Sequence, residues 1–413
     1  MNFDDTAQEA AFRREVRKWL SANVPREFDA AKFRPGMLAF DADLIRRSKE
    51  WQRKKFEAGW ACPHWPKEYG GRGASAIEHV IWNQEEGVYT VLAFAFFMGH
   101  HMCGPTLMAY ATQQQKLQHL PPMASGETVW CQLFSEPAAG SDLAGLRTRT
   151  ERDGGDWVIN GQKIWTSAAH FSDYAILLAR TDATLPKHRG LTMFFLNMKS
   201  PGLEVRPIRQ ANGMFEFNEV FFTDVRIPDG QRLGGVNDGW SVSLTTLMNE
   251  RQAVGPGNPI PITEVVRFFH DLETPAGRAI DDSAVRSKLA DWAVRASGLK
   301  YTQYRSMTAL SRNETPGPEE SIGKLVAAST LQEMATCVLE QQGPAGVLAS
   351  PAYAAANAYY QMILMRAAGT RIEGGSDEIL RNIIGERVLS LPPDVRVDKN
   401  VPFNAIPTGV QRR

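Results

Sequence analysis

Cysteine is scarce in this chain: 413 residues hold four, and no two form a CxxC pair. Cys62, Cys103, Cys131 and Cys337 lie far apart, so neither a zinc knuckle nor a disulfide framework is encoded. Reduced thiols in a cytoplasmic protein are the expectation. Net charge is also missing, with Lys+Arg and Asp+Glu balanced at 46 each. That removes the bulk electrostatic argument for a nucleic-acid or polyanionic partner. No apolar run approaches the roughly 18 residues that span a bilayer as a helix. The first stretch, MNFDDTAQEAAFRREVRKWL, is acidic and then amphipathic, without the apolar core of a secretory signal. No internal repeat is visible. What is present, 43% hydrophobic and 22% charged residues, is the composition of a globular protein. The length calls for two or three domains.

Helical periodicity comes first. Ala7, Ala10, Phe12, Val16, Trp19 and Leu20 share one face of a helix over 4–22. A second helix is expected over 41–58, and more over 75–125, including the apolar run 88–98. Between them lies GWACPHWPKEYGGRG (59–73). Its GGRG lacks the following Lys-Ser/Thr and the strand–turn–helix setting of a phosphate loop. His100 and His101 are adjacent and have no carboxylate at i+4, so a structural pair is expected and no metal site.

From Thr128 the pattern changes to short runs rich in Val, Ile, Phe and Thr, such as 156–160 and 191–197. Turns are expected at Asp153-Gly154-Gly155-Asp156, Asn160-Gly161 and Arg189-Gly190. This predicts a small β-barrel or sandwich ending near Pro228. Helices are expected again near 240–254, 262–272, 283–312, 319–342, 351–369 and 376–390, with a sharp break at 255–261 and a polar connector at 313–319. The segment after Leu391 is Pro-rich and reads as extended. The fold class is therefore α+β and multidomain: an N-terminal helical domain (1–127), a middle β-domain (128–232) and a C-terminal helix bundle (233–413).

The chain is organised around 130–180. QLFSEPAAGSD (132–142) is an apolar strand running into a Pro-, Gly- and Ser-rich turn, whose backbone N–H groups and Ser141 hydroxyl suit an anion. NGQKIWTS (160–167) is a strand with one large ring, Trp165, and a hydroxyl two residues on, Ser167. Residues two apart on a strand share a face. A ring beside a hydroxyl suits a planar cofactor; an ordinary meander with a glycine turn and a core tryptophan accounts for the same residues.

These two blocks, followed by EFNEVFFTDVRIP (216–228), GWSVSLTTLMNER (239–251) and RIEGGSDEILRNIIGER (371–387), resemble the acyl-CoA dehydrogenase family. The resemblance runs through nearly the whole chain in the family's order. It implies FAD between the β-domain and the C-terminal bundle, and removal of the α-proton and β-hydride of an acyl-CoA thioester. It also implies electrons passed to an electron-transferring flavoprotein. The assembly expected is a homo-dimer or homo-tetramer, or a heteromer with a second family member. An acyl-CoA oxidase of the same fold, or a partner subunit without catalysis, are the alternatives. The style of the motifs is similar to bacterial members that act on steroid, terpenoid or other bulky acids.

By resemblance, Gln132, Phe134 and Ser135 match the strand that contacts the isoalloxazine, and Trp165 and Ser167 match the ring-covering pair. Ser141 matches a serine near the pyrophosphate and substrate mouth. Gly375, Ser376 and Glu378 match the loop that reaches the adenosine diphosphate; Glu378 also has Arg381 within helical reach. Arg251 matches an arginine at the CoA entrance. The base of the familiar straight-chain members aligns with Gly374 and is absent. A subset carries it on the helix after the β-domain, which assigns Glu250, with Glu373 the alternative. The family's Arg-x-x-Phe-Gly segment is not recognisable in 255–290, which leaves the residues holding a neighbouring subunit's FAD without an assignment.

Overall fold

The structure, a computed structural model, describes residues 5–25, 41–254, 260–312 and 317–407, without the side chains of 88, 90, 91, 251–254, 310 and 311. Helices come first: α1 (Ala7–Asn23), α2 (Ala42–Glu57), α3 (Ala76–Glu86), α4 (Thr90–Ala93), α5 (Gly104–Tyr110) and α6 (Gln113–Ala124). Strands follow: β1 (Trp130–Leu133), β2 (Arg149–Asp153), β3 (Asp156–Ser167), β4 (Tyr174–Arg180), β5 (Leu191–Asn197), β6 (Leu203–Pro207), β7 (Phe217–Pro228) and β8 (Arg232–Leu233). Then come α7 (Gly239–Val254), α8 (Ile262–Asp271), a small ribbon of β9 (Glu273–Thr274) and β10 (Gly277–Arg278), α9 (Ser283–Ser311), α10 (Ser321–Gln341), α11 (Tyr359–Thr370) and α12 (Asp377–Ile383). The helical, β and helical order is the expected α+β architecture. None of the described helices is long and apolar enough to cross a membrane.

Two compact units make up the chain. The first gathers 40–75, 89–253 and 394–413. Its sheet runs β6-β7-β3-β2-β4-β5-β8, with β1 added in parallel to β4. The run YAILLAR in β4 is apolar without alternation because both faces are covered. Ile176 and Leu178 join one core, with Cys103, Leu107, Leu120 and Met123 from the helical segments and Val242 of α7. Ala175, Leu177 and Ala179 join the other, with Ile159, Val220 and Val225. The buried threonines Thr106 and Thr246 share a hydrogen bond of 2.8 Å, and Tyr110 meets Thr245 at 3.0 Å, which fixes α7 against α5.

One sequence expectation gives way here. Asn160-Gly161 is not a turn: it lies inside β3, at a register shift against β7. Asn160 exchanges two hydrogen bonds with Asp224, whose φ is +50°, so the pair kinks both strands without ending either. In the loop 59–73, Gly71 is there for close approach: a Cβ would stand 2.1 Å from the carbonyl oxygen of Trp65. The turn is held by packing, with the Arg72 guanidinium 3.8 Å over the Trp60 ring.

The second unit gathers 1–39, 76–88 and 254–393. Thr6 and Glu9 form a capping box at the start of α1. Arg13 and Arg17 tie α1 to Glu85 of α3 at 2.8 Å each. Val265 and Phe269 of α8 pack with Trp292 of α9, Met334 and Val338 of α10, and Tyr360 of α11. The helix expected at 351–369 begins only at Tyr359. Ala356, Asn357 and Ala358 have φ of +50°, +55° and +61°, a left-handed turn that no right-handed helix can contain. The break expected at 255–261 falls mostly on 255–259, outside the described residues, as does most of the connector 313–319.

Candidate active site

The turn after β1 is built on a buried ion pair. Lys163 of β3 is fully buried, and its ammonium donates to the Phe134 carbonyl at 2.9 Å and to Glu136 Oε1 at 2.8 Å. Glu136 also accepts from the N–H groups of Arg147 and Thr148 at 2.6 and 2.9 Å. The Ser135 carbonyl accepts from the Ile164 N–H at 2.9 Å. Ser135 is thus bracketed on both sides by bonds to β3. Gly161 lets β3 run close to Thr148, since a Cβ there would stand 2.6 Å from the Thr148 hydroxyl oxygen. Sequence reasoning passed over Glu136 and Lys163. The signal was present: Trp157, Ile159 and Lys163 share the inward phase of the strand, and an inward lysine requires a carboxylate.

Further along β3, one extra residue between Lys163 and Thr166 makes a bulge against β7. Trp165 occupies it at φ +60°, a left-handed conformation that is strained for a bulky residue. The bulge throws the ring outward: it is 56% exposed, with Phe217 edge-on to it at 6.0 Å. Thr166 is buried between Trp165 and the half-buried Ser167, so those two remain on the outer side. Trp165 is therefore not a core tryptophan. Asn218 fixes the strand end, donating to the Thr166 carbonyl at 2.9 Å.

Gln132 joins this turn to α7. Its Nε2 lies 3.5 Å from Glu250 Oε2, at the outer limit of a hydrogen bond, linking motifs 118 residues apart. Gln132 Oε1 is buried without a hydrogen-bond partner among the described residues. Phe134 is buried, and Ser141 is exposed at the tip of the turn. Asp142, next to Ser141, pairs with Lys187 at 3.0 Å. The Arg251 side chain lies outside the described residues.

The glycine loop belongs to the other compact unit. Gly374 and Gly375 take φ of +61° and +95°, which a Cβ would strain. The Lys324 ammonium holds the Gly375 carbonyl at 2.6 Å, and Ser376 caps α12 by accepting from the Ile379 N–H. Glu378 is exposed, with Arg381 at 4.0 Å. Glu373 is engaged by Arg366 at 2.7 Å.

A planar, polar-edged group fits the first unit's residues. A large ring stands out of the core on a strained bulge, and an unpartnered amide oxygen lies buried at Gln132. Sequence models for the acyl-CoA dehydrogenase N-terminal, middle and C-terminal domains match residues 6–127, 131–225 and 237–389. The acyl-CoA dehydrogenase IpdE1 of Mycobacterium tuberculosis is 35% identical over 391 residues, 93% of this chain and 98% of the relative. FadE34 of the same organism is 35% identical over 367 residues, 88% of this chain, which spans only about half (49%) of that protein. The solved structure of the Tcur3481-Tcur3483 steroid ACAD is 27% identical, covers 95% of this chain and 100% of that one, and superposes with a TM-score of 0.78. The chain belongs to the acyl-CoA dehydrogenase family of FAD-dependent oxidoreductases.

Proposed function

We propose that the chain dehydrogenates the CoA thioester of a bulky, steroid-like acid across its α,β bond in the cytoplasm, with Glu250 as the base. The observation that carries this is the approach of Gln132 to Glu250 at 3.5 Å, which brings a carboxylate to the strand leading into the SEPAAGSD turn. A proton α to a thioester is too weakly acidic for water at neutral pH, so a positioned carboxylate must take it. The Gln132 amide meets Glu250 without carrying charge of its own. Bound FAD would supply the acceptor for the β-hydride. The residues to hold it are Gln132, Phe134, Ser135, Trp165 and Ser167, with Gly375, Ser376 and Glu378 toward its adenosine diphosphate. Ser141 and Arg251 serve the CoA end. The division into domains 1–127, 128–232 and 233–413 goes with this reading. The steroid ACAD Tcur3481-Tcur3483, named for two components, supports a bulky acid and a second, unlike subunit. An electron-transferring flavoprotein as acceptor rests on the family resemblance.

The test is anaerobic mixing of the purified flavoprotein, with any subunit that copurifies, against CoA thioesters from short alkyl to steroid side-chain acids. Flavin bleaching by the bulky thioesters supports the reading; bleaching by none of them ends it. Readmitting air afterwards separates a dehydrogenase, which stays reduced, from an oxidase.

Replacing Trp165 by Ala should weaken flavin retention while leaving the fold intact. Aromatic stacking is worth about 1–3 kcal/mol, roughly a five- to hundredfold change in affinity. Trp157, buried on the same strand, is the contrast: its replacement by Ala should cost about 3–5 kcal/mol of stability. Flavin titration and thermal melting read the two effects separately. A Trp165→Ala protein that melts early but stays fully yellow contradicts the assignment.

A further inference from the structure

The segment following Pro393 docks on the loop between β4 and β5. Phe403 N–H donates to the Leu185 carbonyl at 2.9 Å and Asn404 N–H to the Ala183 carbonyl at 3.0 Å, with a bridge between Pro186 and Pro402. Asp398 reaches Lys187 at 2.6 Å, and Lys187 reaches Asp142 at 3.0 Å. The Phe403 ring lies 3.6 Å from the Arg180 guanidinium carbon. Arg180 is 4% exposed, and it donates to the carbonyls of Ala144, Leu146 and Lys187 at 2.6, 3.1 and 3.3 Å. One buried cation therefore fastens the turn after Ser141 to the loop 181–190, and Phe403 shields it from water. The same loop touches the start of the helix that carries Glu250: His188 meets the Trp240 ring at 4.7 Å, and Thr181 donates to Asn237 at 2.6 Å.

We infer that Asp398 and Phe403 are positioning residues: the segment 398–404 is a strap that sets the shape of the turn bearing Ser141 and Asp142, and through it the affinity for the polar end of the substrate. The second half of this inference rests on the function proposed above. Stacking of a cation on a ring is worth about 0.5–2 kcal/mol, so its loss corresponds to roughly a two- to thirtyfold change in an equilibrium.

The experiment uses the full-length flavoprotein with Phe403→Ala, Asp398→Ala and, as the conservative variant, Phe403→Tyr. Amide hydrogen exchange without substrate should show lost protection at 142–147 and 185–190 in both alanine variants and retained protection in Phe403→Tyr. With a CoA thioester that reduces the wild type, KM should rise about two- to thirtyfold while kcat changes little, and Phe403→Tyr should restore it. Unchanged protection overturns the strap whatever the substrate is. Lost protection with unchanged KM, or with kcat falling instead, overturns its link to the substrate. Lost protection in a protein whose wild type accepts no CoA thioester leaves the strap standing and removes the proposed function.

Discussion

Glu250→Gln should leave a yellow, folded protein whose flavin is reduced by substrate about 10²–10⁴ times more slowly, the usual worth of a general base. Glutamine keeps the shape and the contact with Gln132 but accepts no proton at neutral pH. Flavin binding should persist, because the residues assigned to the cofactor are elsewhere in the chain. Binding of the thioester should persist or tighten, since a negative charge has left the site. Exchange of the α-proton with heavy water should vanish together with reduction, as both need the same carboxylate. Glu373→Gln is the control: it breaks an ion pair with Arg366 at 2.7 Å and should change stability more than rate. Stopped-flow reduction of the two variants decides the matter. Near wild-type reduction by Glu250→Gln with a slow Glu373→Gln would return the base to the glycine loop.

Much of this architecture could be read from the sequence because the signals were local. The buried face of α1, with Phe12, Val16 and Leu20, follows helical spacing. The doubly covered strands β4 and β5 announce themselves as unbroken apolar runs. What escaped was decided by pairing across the sheet. Asn160-Gly161 has the composition of a hairpin turn, but Asp224 opposite it supplies the hydrogen bonds that keep β3 going as a bulge. The outward ring of Trp165 depends on one extra residue opposite β7, which no single-strand pattern reveals. The late start of α11 depends on a left-handed turn built without glycine. At the site, Glu250 and the turn were found separately, and Gln132 joining them emerged only in three dimensions.

The Glu136–Lys163 pair should prove the strongest single support of the cofactor strand. Lys163→Met leaves a buried carboxylate with two N–H donors but without its direct ion-pair partner, and breaking a buried pair costs about 3–5 kcal/mol. For a cooperative block of 150–250 residues this lowers the melting midpoint by roughly 6–20 °C. The double replacement Glu136→Gln/Lys163→Met should melt above Lys163→Met alone, because it removes the orphaned charge. The pH dependence has a defined sign. Burial pushes the Glu136 carboxyl up, but the Lys163 ammonium and the N–H groups of Arg147 and Thr148 together hold it below its ordinary value near 4.5. Burial also pulls Lys163 below its ordinary value, against the attraction of Glu136. A depressed carboxyl contributes stability that is complete above its unfolded value and is lost as pH falls through its folded one. The gap between wild type and Lys163→Met should therefore be constant near neutrality and close as pH drops below about 4.5, since protonated Glu136 no longer needs a cation. Because Lys163 also holds the Phe134 carbonyl, flavin retention should fall in step with stability. Melting curves from pH 7 to about pH 3 for the wild type, Lys163→Met, Glu136→Gln and the double variant test all of this. Strictly additive losses, with no coupling between Glu136 and Lys163, would mean that the hydrogen bonds to the backbone, and not the ion pair, hold the turn in place.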